Sequence, residues 1–378
     1  MAENTKIFRH LKKKNKNLYR KLKLHIKHRL GWLGVPQIMA YRGFGNDNVM
    51  FIKGYVTEDK GLSKPDARNN SWKNILSMIK RYTSDEIPAA EIRLNIDGKK
   101  EDVATDEYGL FEANLVHAIE VPFQSSTWIK YHASLRSDIA EKKVSAEGEI
   151  LIPGRNARFG VISDIDDTIL ISYATQTLRK LRLMLLRNSR TRKPFPGVDA
   201  FYQALYKGYR GNDANPFFYV SSSEWNLYDL LEDFCSYNKL PKGVFLLREL
   251  KTSIFKFWKS GQENHNHKQE KIRLLFKTYP DLSFVLIGDN GQRDPEIYAS
   301  IAREFPERIK AIYIRDVKNS RKNSTIREII DELQGYGIRM ILARDTVQAT
   351  HDAIHRKLIA PGSVQTILRD VKEDLETS

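Results

Sequence analysis

The sequence predicts an α/β fold in which a parallel sheet is covered by helices on both faces and is preceded by a β-sandwich-like domain. From about residue 159 onward, short apolar runs alternate with helical segments, which is the pattern of parallel sheets. Residues 36–158 instead contain short β-branched and aromatic runs separated by turn residues. The length of 378 residues exceeds what one hydrophobic core usually supports, so two domains are expected.

The chain accordingly divides into a basic segment at 1–35, a β-rich domain at 36–158 and an α/β domain at 159–378. With 41% hydrophobic and 29% charged residues, its composition is that of a globular protein. Cys235 is the only cysteine, which excludes an intrachain disulfide and a thiolate zinc cluster. No apolar run approaches the roughly 20 residues of a membrane span, and the N-terminus lacks the apolar stretch of a secretion signal. We therefore expect a cytoplasmic protein that associates peripherally with a membrane.

The formal charge of +15 is concentrated at the N-terminus. Residues 1–30 contain eleven Lys and Arg residues against Glu3 alone, which favours contact with a polyanionic surface. Apolar residues recur at helical spacing from Ile7 to Leu30, with lysines on the opposite face. This pattern predicts a helix that lies on an anionic membrane surface. A helix packed on its own domain, or a solvated tail, is the alternative.

The β-rich domain shows no cluster of His, Cys or paired acidic residues in its sequence, so no chemistry is predicted for it. Strands are predicted at 50–56, 91–98, 108–115 and 128–135. One helix, at 72–82, is predicted to interrupt them.

Strands of the α/β domain are followed by polar side chains of catalytic types. Asp164 follows the apolar run FGVIS, Ser221 follows FFYV, and Asp289 follows FVLIG, with Asp294 five residues later. One such aspartate would be typical of a surface turn. Because the carboxyl ends of parallel strands meet at one edge of the sheet, the whole set is expected to converge on a single site.

Carboxylates at such an edge suit phosphoryl transfer. A phosphate ester repels nucleophiles, so Mg²⁺, which prefers oxygen ligands, is expected to neutralise charge there. Asp164 is the candidate nucleophile, and its attack on phosphorus would form an aspartyl-phosphate. Asp166, just beyond the strand end, is the candidate general acid and base. Asp289 and Asp294 would complete the metal site, while Ser221 and a lysine would hold the phosphoryl oxygens.

The order of these motifs resembles that of the haloacid dehalogenase superfamily. Within about 159–320, DIDDT, an apolar run before a serine, a lysine and GDNGQRD are similar to its motifs DxDxT, hydrophobic-Ser/Thr, Lys and GDxxxxD. The resemblance implies a three-layer Rossmann-like sheet with a small cap or none. The roles it implies are catalysis by Asp164 and Asp166, phosphate binding by Thr168, Ser221, Ser222 and Lys268, and Mg²⁺ binding by Asp164, Asp166, Asp289 and Asp294. Lys271 lies close to Lys268 and is the alternative for the lysine.

Longer strings narrow the resemblance to the actin-patch type of phosphatidate phosphatase. DIDDTIL, RNSRTRKPFPGV, FFYVSSSEWNLYDLL and IGDNGQRDPEIY are similar to the catalytic domain of that family. This resemblance implies Mg²⁺-dependent hydrolysis of phosphatidate to diacylglycerol and phosphate.

The entrance to the site is predicted to be open. Only about 27 residues separate Thr168 from Pro196, too few for a large capping domain. Residues 178–193 within this stretch mix leucines with arginines and lysines, which suits docking on a membrane that carries phosphatidate or a related anionic lipid. An ordinary amphipathic helix packed on the sheet is the alternative.

Two other functions fit parts of the pattern. Because fold and machinery do not fix the substrate, a phosphatase acting on another bulky phosphate, such as a nucleic-acid end or a phosphoprotein, is the first. A non-catalytic basic module binding membrane or nucleic acid is the second, although acids stand at every motif position. No specific nucleic acid is expected as a partner, and no protein partner is predicted.

Overall fold

The computed structural model describes residues 35–58, 86–116, 123–136, 143–165, 196–248, 263–317 and 323–376. The chain forms two compact units. The first comprises the described residues of Met1–Gly43, Met50–Val116 and Ile129–Ile150, and the second those of Phe44–Val49, His117–Trp128 and Leu151–Ser378.

Although residues 44–45, 49, 127–128 and 151–152 at strand ends belong to the second unit, most of the described first unit consists of eight β-strands. They are β1 Pro36–Ala40, β2 Gly43–Gly45, β3 Val49–Glu58, β4 Glu91–Ile96, β5 Lys99–Ala104, β6 Leu110–Val116, β7 Thr127–Leu135 and β8 Ser145–Ile152. Hydrogen bonds link all eight into one sheet in the order β1-β3-β2-β8-β7-β4-β5, with β6 paired to β3. The four predicted strands are present, whereas the division into two facing layers of a sandwich stays a prediction.

The two strands of the β4–β5 hairpin differ in burial, and only β4 has the alternating apolar pattern that predicts a strand. Strand β4 alternates buried and exposed residues, with Ile92, Leu94 and Ile96 buried. Strand β5, with the sequence KKEDVA, buries none of its residues and therefore has no apolar alternation. The hairpin turn is Asp97-Gly98, with φ angles of 48° and 79°, the left-handed pair that tight hairpin turns require.

The second unit alternates strands and helices. In chain order they are β9 Gly160–Asp164, α1 Val198–Lys207, β10 Phe217–Glu224, α2 Tyr228–Tyr237, β11 Val244–Arg248, α3 Glu263–Thr278, β12 Phe284–Asp289, α4 Asp294–Glu304, β13 Ile309–Arg315, α5 Asn323–Gly335, β14 Met340–Ala343, α6 Thr346–His355 and α7 Ser363–Glu376. The α/β class predicted from the sequence is confirmed.

The six strands of this unit form a parallel sheet in the order β11-β10-β9-β12-β13-β14. After β9 the chain adds β10 and β11 on one side, then crosses to add β12, β13 and β14 on the other. The direction of winding therefore reverses between β9 and β12. In open parallel sheets, the crevice for a ligand lies at the carboxyl ends of the strands at such a reversal.

Large aromatic side chains fill the core of this unit and hold the central strands rigidly. Phe217 and Phe218 on β10 and Phe284 on β12 are fully buried. The Phe276 ring on α3 stacks on Phe284 with 4.5 Å between ring centroids, which fixes this helix against the sheet. Aromatic packing therefore fixes the position of β12, one of the strands that carry site residues, against α3.

Several predicted segments lie outside the described residues. They are the basic N-terminal segment up to residue 34, the predicted helix at 72–82 and the amphipathic stretch at 178–193. Among the helices that the structure describes, none has the length and apolar character required to cross a bilayer.

Candidate active site

Asp164 is the last residue of β9 and is completely buried. Its backbone pairs with Val220 of β10, while the pairing of β9 with β12 stops one residue earlier, at Ser163. Neither oxygen of its carboxylate has a hydrogen-bond donor in the part of the chain that the structure describes. Its nearest recorded partner is the Lys268 ammonium, whose Nζ lies 3.0 Å from Asp164 Oδ1 as an ion pair. A buried carboxylate in this state has lone pairs available for a cation or for attack on an electrophile.

Asp289 is the last residue of the neighbouring strand β12, and it is also fully buried. Its Oδ1 accepts hydrogen bonds from the backbone N–H groups of Gly291 at 2.6 Å and Gln292 at 3.2 Å. The loop after β12 thus folds back over the carboxylate and fixes the direction in which it points.

Asp294 begins helix α4 and turns its buried carboxylate back toward β12. Its Oδ2 accepts a hydrogen bond from the backbone N–H of Asp289 at 3.2 Å, and its Oδ1 accepts one from Lys268 Nζ at 2.5 Å. The approach depends on Gly288, because a Cβ atom there would lie 2.5 Å from Asp294 Oδ2 and 2.7 Å from Asp294 Cβ. The glycine therefore makes room for the acid.

The carboxylates of Asp164, Asp289 and Asp294 form one cluster, in which one ligand oxygen from each lies within 4.8 Å of the others. Burial raises the pKa of the Asp294 carboxyl well above its ordinary value; Lys268 opposes this shift, whereas Asp164 and Asp289 reinforce it. Three clustered carboxyl groups, of which Asp164 and Asp294 contact the Lys268 ammonium, give this buried site an excess of acidic groups over basic ones. A divalent cation would balance this excess, and carboxylate oxygens are the ligands that Mg²⁺ prefers, so these residues fit such an ion.

The structure separates the two candidate lysines. Lys268 on α3 is buried, with its ammonium between Asp164 and Asp294. Lys271, one turn later on the same helix, donates hydrogen bonds to the backbone carbonyls of Leu246, at 3.0 Å, and Leu247, on β11. Lys268 is the lysine placed among the acids.

Ser221 lies beside the end of β9, because it follows Val220, the residue that pairs with Asp164. It is buried, and its Oγ accepts a hydrogen bond from the backbone N–H of Ser223 at 2.8 Å. The expectation that the strand ends at Ser221 is wrong, since β10 continues to Glu224 through a shift in its register with β11. Ser222 is half-buried within this irregular stretch.

Two predicted site residues, Asp166 and Thr168, lie outside the described residues. The structure thus brings together Asp164, Lys268, Asp289 and Asp294, and places Ser221 next to the strand that carries the first of them.

Asn290 is a further residue of this site that the pattern of strand ends did not indicate. It is fully buried, and its side chain donates to Asp316 Oδ1 and accepts from the backbone N–H of Val317, both at 2.8 Å. Its backbone N–H donates to the carbonyl of Arg315 at 3.0 Å. Asn290 therefore ties the loop after Asp289 to the end of the neighbouring strand β13. The only sequence signal was its position inside GDNGQRD.

Replacing Gly288 by Ala tests how closely Asp294 must approach β12. We expect Gly288→Ala to destabilise the protein by about 1–3 kcal/mol and to weaken metal binding, because Asp294 must move away from the new methyl group. Chemical denaturation and Mg²⁺ titration measure the two effects. Gly335→Ala is the matched control, since a Cβ at the end of α5 meets no atom within 4 Å; equal effects of the two variants would contradict the role of Gly288.

Comparison with known proteins shows which proteins the segment that carries this site is similar to. Residues 159–316 match the profile of the family described as "Phosphatidate phosphatase APP1, catalytic domain". A region of 176 residues, 46% of this chain, is 32% identical to phosphatidate phosphatase APP1 of Saccharomyces cerevisiae. The resemblance to the actin-patch type of phosphatidate phosphatase is confirmed over residues 159–316. We refer to these residues as the APP1-like segment.

The APP1-like segment contains the described cluster of acids and Lys268, and the match ends at Asp316, the residue that Asn290 contacts. Helices α5, α6 and α7 lie beyond it. A region of 242 residues is 27% identical to an uncharacterized protein of Schizosaccharomyces pombe and covers 60% of this chain. The chain spans 29% and 38% of the lengths of these two curated relatives.

The whole chain can also be compared with solved structures. A carbohydrate acetylesterase from Xanthomonas citri is 12% identical, with coverage of 89% of this chain and 74% of that chain and a TM-score of 0.29. Scores in this range do not bear on the fold or the function of the chain.

Proposed function

We propose that this protein is a Mg²⁺-dependent phosphatidate phosphatase that forms an aspartyl-phosphate on Asp164 at a membrane surface. The observation that carries the proposal is the buried cluster of Asp164, Asp289 and Asp294 inside the APP1-like segment, with Lys268 paired to Asp164 and Asp294. Asp164 supplies a carboxylate without a hydrogen-bond donor among the described residues, which suits a nucleophile better than a structural acid.

The proposed fold of the α/β unit is haloacid dehalogenase-like, with three layers and a small cap or none. The parallel strand order, which reverses direction between β9 and β12, supports this assignment. The nucleophile Asp164 would then end β9, the first strand of this sheet in chain order. The metal-binding acids would be Asp289, at the end of the neighbouring strand β12, and Asp294, at the start of α4.

In the first chemical step, an oxygen of the Asp164 carboxylate forms a bond to phosphorus as the bond between phosphorus and the glycerol oxygen breaks. The departing oxygen takes a proton from Asp166, so that diacylglycerol leaves as the neutral alcohol. Ser221 and Ser222 hold the phosphoryl oxygens, with Thr168 supporting them. Lys268 stabilises the negative charge that spreads over these oxygens.

In the second step, the Asp166 carboxylate removes a proton from water, and the water oxygen attacks phosphorus. The bond to Asp164 breaks, which releases phosphate and restores both carboxyl groups to their starting states. Asp164, Asp289, Asp294 and the backbone carbonyl of Asp166 would hold Mg²⁺, which supplies charge neutralisation to the phosphoryl group when bound.

The proposal is tested by phosphate release from phosphatidate in mixed micelles. With Mg²⁺ present we expect release, and with EDTA we expect the rate to fall by about 100-fold or more, because the carboxylates then repel the substrate phosphate. Binding of Mg²⁺ without substrate should also raise the melting temperature, since an ion that binds only the folded protein stabilises it.

A substrate panel separates this proposal from its alternatives. If phosphate were released from a phosphorylated DNA end or a phosphopeptide in a metal-dependent way, but not from phosphatidate, the protein would be a phosphatase with another substrate. Unchanged release in EDTA would contradict the metal dependence. A protein inactive on the whole panel would fit a non-catalytic binding module.

Association with an anionic membrane is proposed for the basic N-terminal segment and for residues 178–193. Replacing Lys12, Lys13, Lys14 and Lys16 by Gln in the full chain should weaken binding to vesicles rich in phosphatidate by at least about tenfold, because each basic residue near such a surface contributes attraction. Vesicle co-sedimentation measures the change, with neutral phosphatidylcholine vesicles as the control. Equal vesicle binding by the variant and the original protein would contradict a role of the N-terminal segment in membrane association.

A further inference from the structure

A chain of buried hydroxyl groups ends on the backbone of Asp164. Ser163 is fully buried on β9, and its Oγ donates a hydrogen bond to the backbone carbonyl of Asp164 at 2.9 Å. The Tyr202 hydroxyl, on helix α1, lies 2.7 Å from the same Ser163 Oγ. Tyr202 is fully buried as well, so both hydrogen bonds are shielded from water.

The donor in each of these two hydrogen bonds follows from the number of protons that each hydroxyl has. A serine hydroxyl has one proton, and Ser163 uses it on the Asp164 carbonyl. The Tyr202 hydroxyl must therefore donate to Ser163. Burial raises the pKa of Tyr202 above its ordinary value, so the phenol keeps its proton and remains a donor. The order is Tyr202 to Ser163 to the carbonyl of Asp164.

This series of hydrogen bonds ends at Asp164, where β9 leaves the sheet. Asp164 still pairs with Val220 of β10, but the pairing of β9 with β12 ends at Ser163. The peptide group after Asp164 therefore has support from one neighbouring strand only. The same peptide sets the position of the Asp164 carboxylate and the path of the chain toward Asp166.

We infer that Ser163 and Tyr202 are positioning residues, which hold the peptide after Asp164 so that its carboxylate meets the phosphorus atom in line. This inference rests on the proposed function. The Ser163 hydroxyl bonds the Asp164 carbonyl and the Tyr202 hydroxyl bonds Ser163, so we expect their removal to lower the rate of the chemical step and to leave substrate binding nearly unchanged. Displacements of an ångström or less in a reacting group are enough for this effect.

The variants Tyr202→Phe, Ser163→Ala and the double variant test the inference, with short-chain phosphatidate and p-nitrophenyl phosphate as substrates. We expect kcat to fall about fivefold to tenfold in Tyr202→Phe and about tenfold to 100-fold in Ser163→Ala, with KM within about twofold. Because the hydroxyls act in series, the double variant should match Ser163→Ala within about twofold.

Tyr219→Phe is the matched control. Its hydroxyl is also buried and donates to a backbone carbonyl, that of Pro241, at 2.8 Å. A loss of stability common to buried tyrosine hydroxyls would appear in this variant too, while its kcat should stay at the original value. Circular dichroism confirms that each variant is folded, and Tyr202→Phe keeps the test decisive if Ser163→Ala does not fold.

Equal kcat values in Tyr202→Phe and Tyr219→Phe would overturn the inference, as would multiplicative losses in the double variant. Failure of the proposed function looks different, because the original protein would then release no phosphate from phosphatidate. Hydrolysis of p-nitrophenyl phosphate would still report on the positioning of Asp164 in that case. Inactivity on both substrates would overturn the proposed function and the inference together.

Discussion

Asp164→Asn is expected to lower phosphate release from phosphatidate by about 10⁴-fold or more, the scale of loss when a nucleophile is removed. The amide has nearly the shape of the carboxylate but cannot attack phosphorus. The variant should remain folded, and without Mg²⁺ it should be at least as stable as the original protein. The reason is that it removes one of three clustered buried acids that repel one another, while Lys268 keeps its ion pair with Asp294.

Trapping of the phosphorylated intermediate and the activity of a control variant test this prediction. Acid quenching during turnover of labelled phosphatidate should trap label on the original protein and none on Asp164→Asn. Asp213→Asn is the matched control, since Asp213 is another fully buried aspartate of the same unit and lies outside the acid cluster. We expect it to retain activity within a few-fold. Full activity in Asp164→Asn would rule out Asp164 as the nucleophile.

Lys268→Met is expected to combine a large loss of activity with a loss of stability that depends on metal. Activity should fall by about 10²–10³-fold, because a charge that stabilises the phosphoryl oxygens is gone. Without Mg²⁺, the protein should lose about 3–5 kcal/mol of unfolding free energy, since Asp164 and Asp294 lose their buried counterion. Added Mg²⁺ should restore part of that stability. Denaturant titrations with Mg²⁺ and with EDTA measure both values.

Lys271→Met is the control for this variant, three residues away on the same helix. Its hydrogen bonds to the carbonyls of Leu246 and Leu247 contribute to stability, so about 1–3 kcal/mol should be lost. Activity and the response to Mg²⁺ should stay close to the original. A reversed result, with Lys271 the sensitive position, would contradict the placement of Lys268 in the site.

Asp164 and Asp289 could be predicted from the sequence because each stands where an apolar run stops. In a parallel sheet those points share an edge, so the order of residues along the chain was sufficient to bring Asp164 and Asp289 together. Asp294 followed from its spacing within GDNGQRD.

Other parts depend on packing that the sequence pattern does not encode. Lys268 and Lys271 are one turn apart on α3, so helical spacing alone could not distinguish the lysine that faces the acids from the one that contacts β11. Tyr202 and Asn290 act through hydrogen bonds to residues far away in the sequence, such as Ser163, 39 residues from Tyr202, and Asp316, 26 residues from Asn290. Strand β5 escaped prediction because, with none of its residues buried, it has no apolar face.

The attachment of Asn290 to the end of β13 has a consequence for how the site would take up a cation. For the loop after β12 to swing outward, the hydrogen bonds of Asn290 to Arg315, Asp316 and Val317 must break. The Asp289 carboxylate is held by the backbone N–H groups of Gly291 and Gln292 in this same anchored loop. A cation that binds this carboxylate would therefore meet an acid already fixed in place, so we expect its capture to require little reorganisation of the chain.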